Sequence, residues 1–205
     1  HKPLSKTEQT KMLLNCEPVH LLQNNCSGKH VMMLGLCKMK GWDVNTYDKP
    51  EHPLQQAIKE QIYKLCQVKK EYPITTDGCG VPIMSMPLTN MLHGYLNLFC
   101  NPKYEKIKNA FLNNPYIIGG EDRSDTKIIE NSKNIVAKVG AGGLCIVVNT
   151  QTEEAFVVKI SDCNMQAREL VVTKVLENLH WAHIPQDTEI KTIHGQKVGN
   201  IEILV

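Results

Sequence analysis

The sequence has little that indicates a membrane-spanning or a secreted protein. No apolar stretch approaches the roughly 18 consecutive residues that a spanning helix requires, and residues 1–20 lack the apolar core of a signal peptide. An excess of one charge is also lacking, because 23 Lys and Arg stand against 21 Asp and Glu, which gives no basic surface for nucleic acid. We therefore expect a soluble chain that acts on a small molecule, with neither nucleic acid nor a membrane as a partner.

The cysteine pattern does not indicate a disulfide framework. The eight cysteines form no C-x-x-C motif and are scattered along the chain, and 205 residues bury enough apolar surface to fold without such bridges. A reducing cytoplasm is therefore expected. A single domain over residues 1–205 is the simplest organisation, and we expect it to lack an N-terminal part because the first residue is His1 and not Met.

The apolar period changes along the chain from helical to strand-like. Helices are predicted near residues 5–15, 31–41, 53–65, 88–99 and 104–113, with Val31, Met32, Leu34 and Leu36 buried in the second. An antiparallel meander over residues 135–139, 144–148 and 155–160 follows, and then a helix around 170–179 and a last strand over 198–205. Loops are expected over 75–82, 119–126 and 185–192. This order indicates an α+β fold with mixed α/β layers.

Four residues in two polar segments are the candidates for metal or thiol chemistry. Cys26, Lys29 and His30 lie where a helix is predicted to begin, and Cys79 lies in the glycine-containing loop. Two thiols and a nitrogen could bind zinc, although a lysine can do so only as the neutral amine. The spacing leaves two alternatives open, since each cysteine could be a small buried apolar group and Cys26 could be a nucleophile activated by the helix N-terminus and His30.

Two further segments contain lysines in suggestive positions. Ser124 and Lys127 fit S-x-x-K, the serine-lysine pair of penicillin-recognising enzymes, but the pattern is short, and a polar surface loop is the simpler interpretation. Lys138 ends an apolar strand just before Gly140, where its amine would project past the edge of the sheet.

The amino-acid sequences of several motifs resemble those of the L-asparaginase II family, the rhizobial-type asparaginases. The motifs are Asn24-Asn25-Cys26-Ser27-Gly28-Lys29-His30, His52-Pro53-Leu54-Gln55, Asp77-Gly78-Cys79-Gly80-Val81-Pro82, Arg123-x-Asp125-Thr126, Ala137-Lys138-x-Gly140-Ala141-x-Gly143 and Gly195-x-x-Val198-Gly199. The resemblance implies hydrolysis of L-asparagine to aspartate and ammonia, on a fold similar to serine β-lactamases and glutaminases and with a homodimeric assembly.

The resemblance also implies a role for individual residues. Zinc would be bound by Cys26, Lys29 and Cys79, and His30 and Asp77 would lie at the substrate pocket. Lys138 matches the lysine of the later of the family's two Ser-Lys pairs and would be the catalytic base.

The departures from the family set the limits of this expectation. Both catalytic serines and the first lysine belong to a family segment before the position of His1, and Ser124 does not match a nucleophile. Gly142 stands where the family usually has an acidic residue. We therefore expect this chain alone to be inactive, and the alternative is a catalytically dead zinc-binding or ligand-binding fragment.

Overall fold

A computed structural model describes residues 1–204, which group into two compact units. The first unit comprises His1–Gly94 and the second begins at Tyr95. Both helices and small antiparallel sheets are present, so the fold belongs to the predicted α+β class. Within residues 1–204, no helix is both long enough and apolar enough to cross a membrane. The single domain over residues 1–205 stays a prediction.

Helices dominate the first unit. They are α1 (Lys6–Leu14), a short 3₁₀ turn (Leu21–Gln23), α2 (Ser27–Lys40) and α3 (Pro53–Leu65), and a hairpin of β1 (Ile74–Thr76) and β2 (Pro82–Met84) follows. Ser5 caps α1 by accepting a hydrogen bond from the backbone N–H of Glu8 at 3.2 Å. Gly41 ends α2 in the left-handed conformation, which glycine adopts without a steric penalty.

The core of the first unit differs from the one predicted for α2. Met33, Cys37, Leu54 and Val81 form the buried cluster. The prediction that Val31, Met32 and Leu36 are buried is wrong, because these residues are 56%, 72% and 37% exposed, and Leu34 is only partly buried. Only Met33 and Cys37 of α2 are buried, so the apolar residues of this helix are not confined to its buried side.

Helix α4 (Leu88–Phe99) was predicted from its apolar pattern and is confirmed. A 3₁₀ turn (Pro102–Tyr104) and the helices α5 (Glu105–Asn113), α6 (Pro115–Gly119) and α7 (Ser124–Glu130) follow along the chain. The loop predicted over residues 119–126 is therefore only partly correct, because α6 ends and α7 begins inside it.

The predicted meander forms the central sheet of the second unit. Strands β3 (Ile135–Gly140), β4 (Leu144–Asn149) and β5 (Glu154–Lys159) pair in antiparallel order, with Lys138 opposite Ile146. Buried residues of α7, these strands and α8 (Met165–Asn178), together with Ile184 after α8, form the core. The residues of the named elements are Ile128, Ile129, Ile135, Ala137, Cys145, Val147, Val158, Val172 and Leu176. The sheet therefore provides a rigid base from which Lys138 projects.

The last part of the second unit is a small hairpin. Strand β6 (Glu189–Lys191) pairs with β7 (Lys197–Asn200). The prediction of a loop over residues 185–192 is wrong where β6 forms. The strand predicted over residues 198–205 overlaps β7, but residues 201–204 lie outside any strand and Val205 lies outside the described residues.

Candidate functional site

The turn of the β1–β2 hairpin holds Asp77 in place. The Oδ1 atom of Asp77 accepts hydrogen bonds from the backbone N–H groups of Cys79 and Val81, at 2.7 and 3.1 Å. Gly80 takes a φ of 92° inside this turn, an angle that residues with a Cβ adopt only under strain. The second oxygen, Oδ2, accepts a hydrogen bond from Lys29 Nζ at 2.5 Å. The turn thus joins Asp77 and Cys79 to the first turn of α2.

The charge of Asp77 is stabilised by these contacts. Partial burial by itself raises the pKa of this carboxyl, but the hydrogen bonds from Lys29, Cys79 and Val81 outweigh that effect. The net pKa lies below the ordinary value, so Asp77 is an ionised carboxylate. An ionised carboxylate has about four acceptor positions, of which the three hydrogen bonds described above occupy three.

The structure brings Cys26 and Cys79 together. Cys26 is the residue that precedes α2, and both cysteines are free, partly exposed thiols. Hydrogen bonding with the Cys26 thiol raises the pKa of Cys79, and desolvation and the nearby negative charge of Asp77 raise it further. The Cys79 thiol therefore resists ionisation. A cation between the two thiols would favour their thiolate forms.

His30 is fixed by an aromatic partner. The Nδ1 atom of His30 lies 2.6 Å from the hydroxyl of Tyr47, and the two rings meet edge to face with centroids 5.8 Å apart. Tyr47 was not singled out in the sequence, since nothing in its neighbourhood marks it as the partner of a histidine far away along the chain. The contact orients the ring of His30, which begins the second turn of α2.

A methionine-rich cavity lies beside the Lys29–Asp77 pair. Its volume is about 380 Å³, and its walls include Met32, Met33, Met84 and Met86. Lys29, Asp77 and Gln55 supply its polar groups. The cavity thus combines a charged pair with a largely apolar lining.

Lys138 makes two hydrogen bonds in the second unit. Its Nζ atom donates to Asp125 Oδ2 at 2.8 Å and to the carbonyl of Val139 at 3.0 Å. Its side chain is 36% exposed, whereas that of Asp125 is fully buried. His30 and Asp77 belong to the first unit, so the expectation that Lys138 shares a pocket with them stays a prediction.

The sequence matches the model of the L-asparaginase II family over residues 1–203. The chain belongs to the L-asparaginase II family. No curated protein sequence matches it. The matched residues include both units of the structure. Family membership implies a small-molecule substrate.

In this member of the L-asparaginase II family, Ser124 and Lys127 of the S-x-x-K segment do not form a hydrogen-bonded pair. The Oγ atom of Ser124 is buried and has no hydrogen-bond partner among the described residues. Lys127 instead pairs with Asp122, at 3.5 Å. The segment is also not the solvated loop expected from its composition, since Ser124 begins α7.

Cys26, Lys29 and Cys79 contain donor atoms that suit the zinc expected from the resemblance to this family. Among residues 1–204, no group of three or more His, Cys, Asp or Glu side chains is placed to hold a metal, and the predicted ligand set contains only two such residues and a lysine. Thiolates and an amine nitrogen are suitable zinc donors. Lys29 would have to release one proton, because an ammonium has no lone pair. The neutral amine keeps two N–H bonds, one of which can still donate to Asp77.

Asp125 belongs to one of the family motifs, and the sequence assigned it no role. In the structure it accepts a hydrogen bond from Lys138. The signal in the sequence is weak, since a carboxylate in a polar segment is usually at the surface. Only the fold shows that this one is fully buried.

Proposed function

We propose that this chain supplies the metal ligands, substrate contacts and base of an amidohydrolase that converts L-asparagine to L-aspartate and ammonia. The observation that supports this most is the cluster in which Cys26, Cys79 and the Lys29–Asp77 pair meet, on the motifs that the family shares. A zinc ion is proposed as the cofactor, on Cys26, Lys29 and Cys79. Its positive charge would hold both thiols as thiolates.

Hydrolysis of the side-chain amide breaks a carbon–nitrogen bond and adds the elements of water. Asp77 is ionised, and the three hydrogen bonds described above leave one of its acceptor positions available. The α-ammonium group of asparagine can donate to that position. We assign His30, held by Tyr47, to the same substrate. Lys138 is proposed as the base that takes a proton from the attacking hydroxyl.

The nucleophile is the component that these residues do not provide. Ser124 is not paired with a base among residues 1–204. The resemblance assigns the serines to a segment outside the 205 residues. We therefore propose that the chain alone does not turn over asparagine. A serine β-lactamase-like fold of the complete enzyme, a homodimeric assembly and a cytoplasmic location complete the proposal.

Ammonia release tests the proposal directly. The purified 205-residue chain is incubated with zinc and asparagine, beside a chain extended upstream to include a Ser-x-x-Lys motif. We expect turnover only from the extended chain, because loss of the nucleophile removes most of the chemical acceleration. Comparable turnover by the short chain would contradict the proposal, and the variants Ser124→Ala and Cys26→Ser would then show which residue attacks.

The second candidate function is a catalytically dead zinc-binding fragment. The contact between Cys26 and Cys79 favours it as much as it favours the enzyme. Zinc binding without ammonia release from either chain would support it. A cysteine amidase centred on Cys26 is a more distant candidate, and it predicts irreversible loss of activity after thiol alkylation, even when zinc is removed and restored.

A further inference from the structure

A fully buried carboxylate stands behind Lys138. Asp125 is 0% exposed, and a buried charge is costly unless it is paired and hydrogen-bonded. Its Oδ2 atom accepts the hydrogen bond from Lys138 Nζ, and it also accepts the backbone N–H of Val139 at 3.3 Å. One oxygen thus binds both the amine of Lys138 and the peptide bond that follows it.

Rigid elements on both sides hold Asp125 in place. It lies in the first turn of α7, where the neighbouring Thr126 donates its hydroxyl to the carbonyls of Pro115 and Gly120, at 3.1 and 2.8 Å. A methyl group added to Gly119 would stand 2.3 Å from Asp125 Oδ1. Asp125 is therefore packed closely against Gly119 of α6, and its Oδ2 atom is hydrogen-bonded to β3.

Other charged groups lie at the same end of β3. Arg168 is buried on α8 and donates to the carbonyl of Gly140 at 3.3 Å. Glu169 accepts from Arg168 at 3.2 Å. Cys145 on β4 is buried close to this group. Asp125 is the member of this group whose carboxylate is hydrogen-bonded to the Lys138 amine.

The two acceptors around Lys138 leave one direction of its amine without a described partner. A neutral amine has two N–H bonds and one lone pair in a tetrahedral arrangement, whereas an ammonium has three N–H bonds. Asp125 and the carbonyl of Val139 take two hydrogen bonds from Nζ. When the amine is neutral, both of its N–H bonds are therefore held, and the lone pair occupies the remaining direction.

We propose that Asp125 is a positioning residue, which together with the Val139 carbonyl fixes the direction of the Lys138 lone pair. This inference rests on the proposed function, because it gives the base its orientation. A proton acceptor must be aimed at the proton it takes as well as lie near it. Asp125 does not touch substrate in this role; it acts through Lys138.

The mobility of the Lys138 amine tests this inference without any turnover. Nitrogen-15 relaxation of the lysine amino groups gives an order parameter for each Nζ in the 205-residue chain. We expect a high order parameter for Lys138 and a low one for Lys174. Lys174 Nζ lies 3.1 Å from Oε2 of Glu177, whose side chain is half exposed. A Lys138 amine as mobile as that of Lys174 in the parent chain would overturn the inference, whatever the variants do.

Two substitutions separate positioning from simple charge pairing. Asp125→Asn keeps an oxygen where Oδ2 accepts both hydrogen bonds, so the order of Lys138 should be retained. Asp125→Ala removes the acceptor, and the order should fall to that of Lys174. Glu177→Gln is the matched control and should leave Lys138 unchanged. Equal order in the parent and in Asp125→Ala would contradict the inference.

Kinetics of an upstream-extended chain give the second readout. We expect Asp125→Ala to lower kcat by about 100-fold with little change in KM, since a misplaced catalytic group costs about that factor, and Asp125→Asn to recover most of the loss. An unchanged kcat in Asp125→Ala would refute the role. An inactive parent whose Lys138 is nonetheless ordered by Asp125 would refute the proposed function and leave the contact between the two residues established.

Discussion

The substitution Gly119→Ala probes the tightest contact around the buried carboxylate. Gly119 is the last residue of α6. A Cβ atom there would meet Asp125 Oδ1 at 2.3 Å and Thr126 Oγ1 at 2.4 Å. Both neighbours are buried, and both are held by hydrogen bonds to other elements. Neither side chain can move aside without losing a partner.

The expected cost follows from three contributions. Overpacking a filled core costs about 1–3 kcal/mol, and breaking a buried ion pair costs about 3–5 kcal/mol when one partner is removed. Alanine gains back about 0.5–1 kcal/mol over glycine in a helix. Because the Asp125–Lys138 pair would be displaced and not deleted, we expect the free energy of unfolding to fall by about 2–4 kcal/mol.

Urea unfolding followed by tryptophan fluorescence measures this change. The chain has two tryptophans, and Trp181 packs against Phe156 in the second unit, with ring centroids 5.8 Å apart. A Trp42→Phe background leaves Trp181 as the single reporter. We expect the urea midpoint to fall while the slope of the transition stays constant.

The matched control is Gly35→Ala in the middle of α2. A Cβ at Gly35 meets nothing within 4 Å, so the same chemical change should stabilise the first unit by about 0.5–1 kcal/mol. Trp42 reports on that unit in a Trp181→Phe background. A Gly119→Ala chain as stable as its parent would show that Asp125 is not confined as described.

Three further predictions concern pH, metal binding and the core. Burial raises the pKa of Cys145 to about 12, so the unfolded chain loses this proton at lower pH than the folded chain. Between about pH 9 and about pH 12 the free energy of unfolding should therefore fall by about 1.4 kcal/mol per pH unit more in the parent than in Cys145→Ala. Elemental analysis should find about one zinc per chain in the parent and in the exposed control Cys16→Ser, and little in Cys26→Ser or Cys79→Ser; equal zinc in all four would exclude the proposed ligands. Leu176→Ala should lower the free energy of unfolding by about 2–5 kcal/mol because Leu176 is 0% exposed. Leu179→Ala, at a 45% exposed position, should cost about 0.5 kcal/mol or less, and similar losses in both would refute the assigned core.

The sequence determined the features that depend on neighbours along the chain. The helix from Pro53 to Leu65 and the meander of β3 to β5 form where apolar spacing predicts them, because a helix and a hairpin are stabilised largely by contacts within a short segment. The motifs around Cys26 and Cys79 were likewise sufficient to indicate the family, since each is a local string of residues.

Tertiary structure alone decided which surfaces are covered and which distant groups meet. The apolar pattern of α2 did not reveal that Val31 and Met32 are exposed, because spacing shows which residues share a face and not what covers that face. The same holds for the Tyr47 hydroxyl on His30 and for the burial of Asp125 behind Lys138. These contacts join separate elements, and their geometry is set by the packing of α7 on β3 and of the loop before α3 on α2, which no single segment contains.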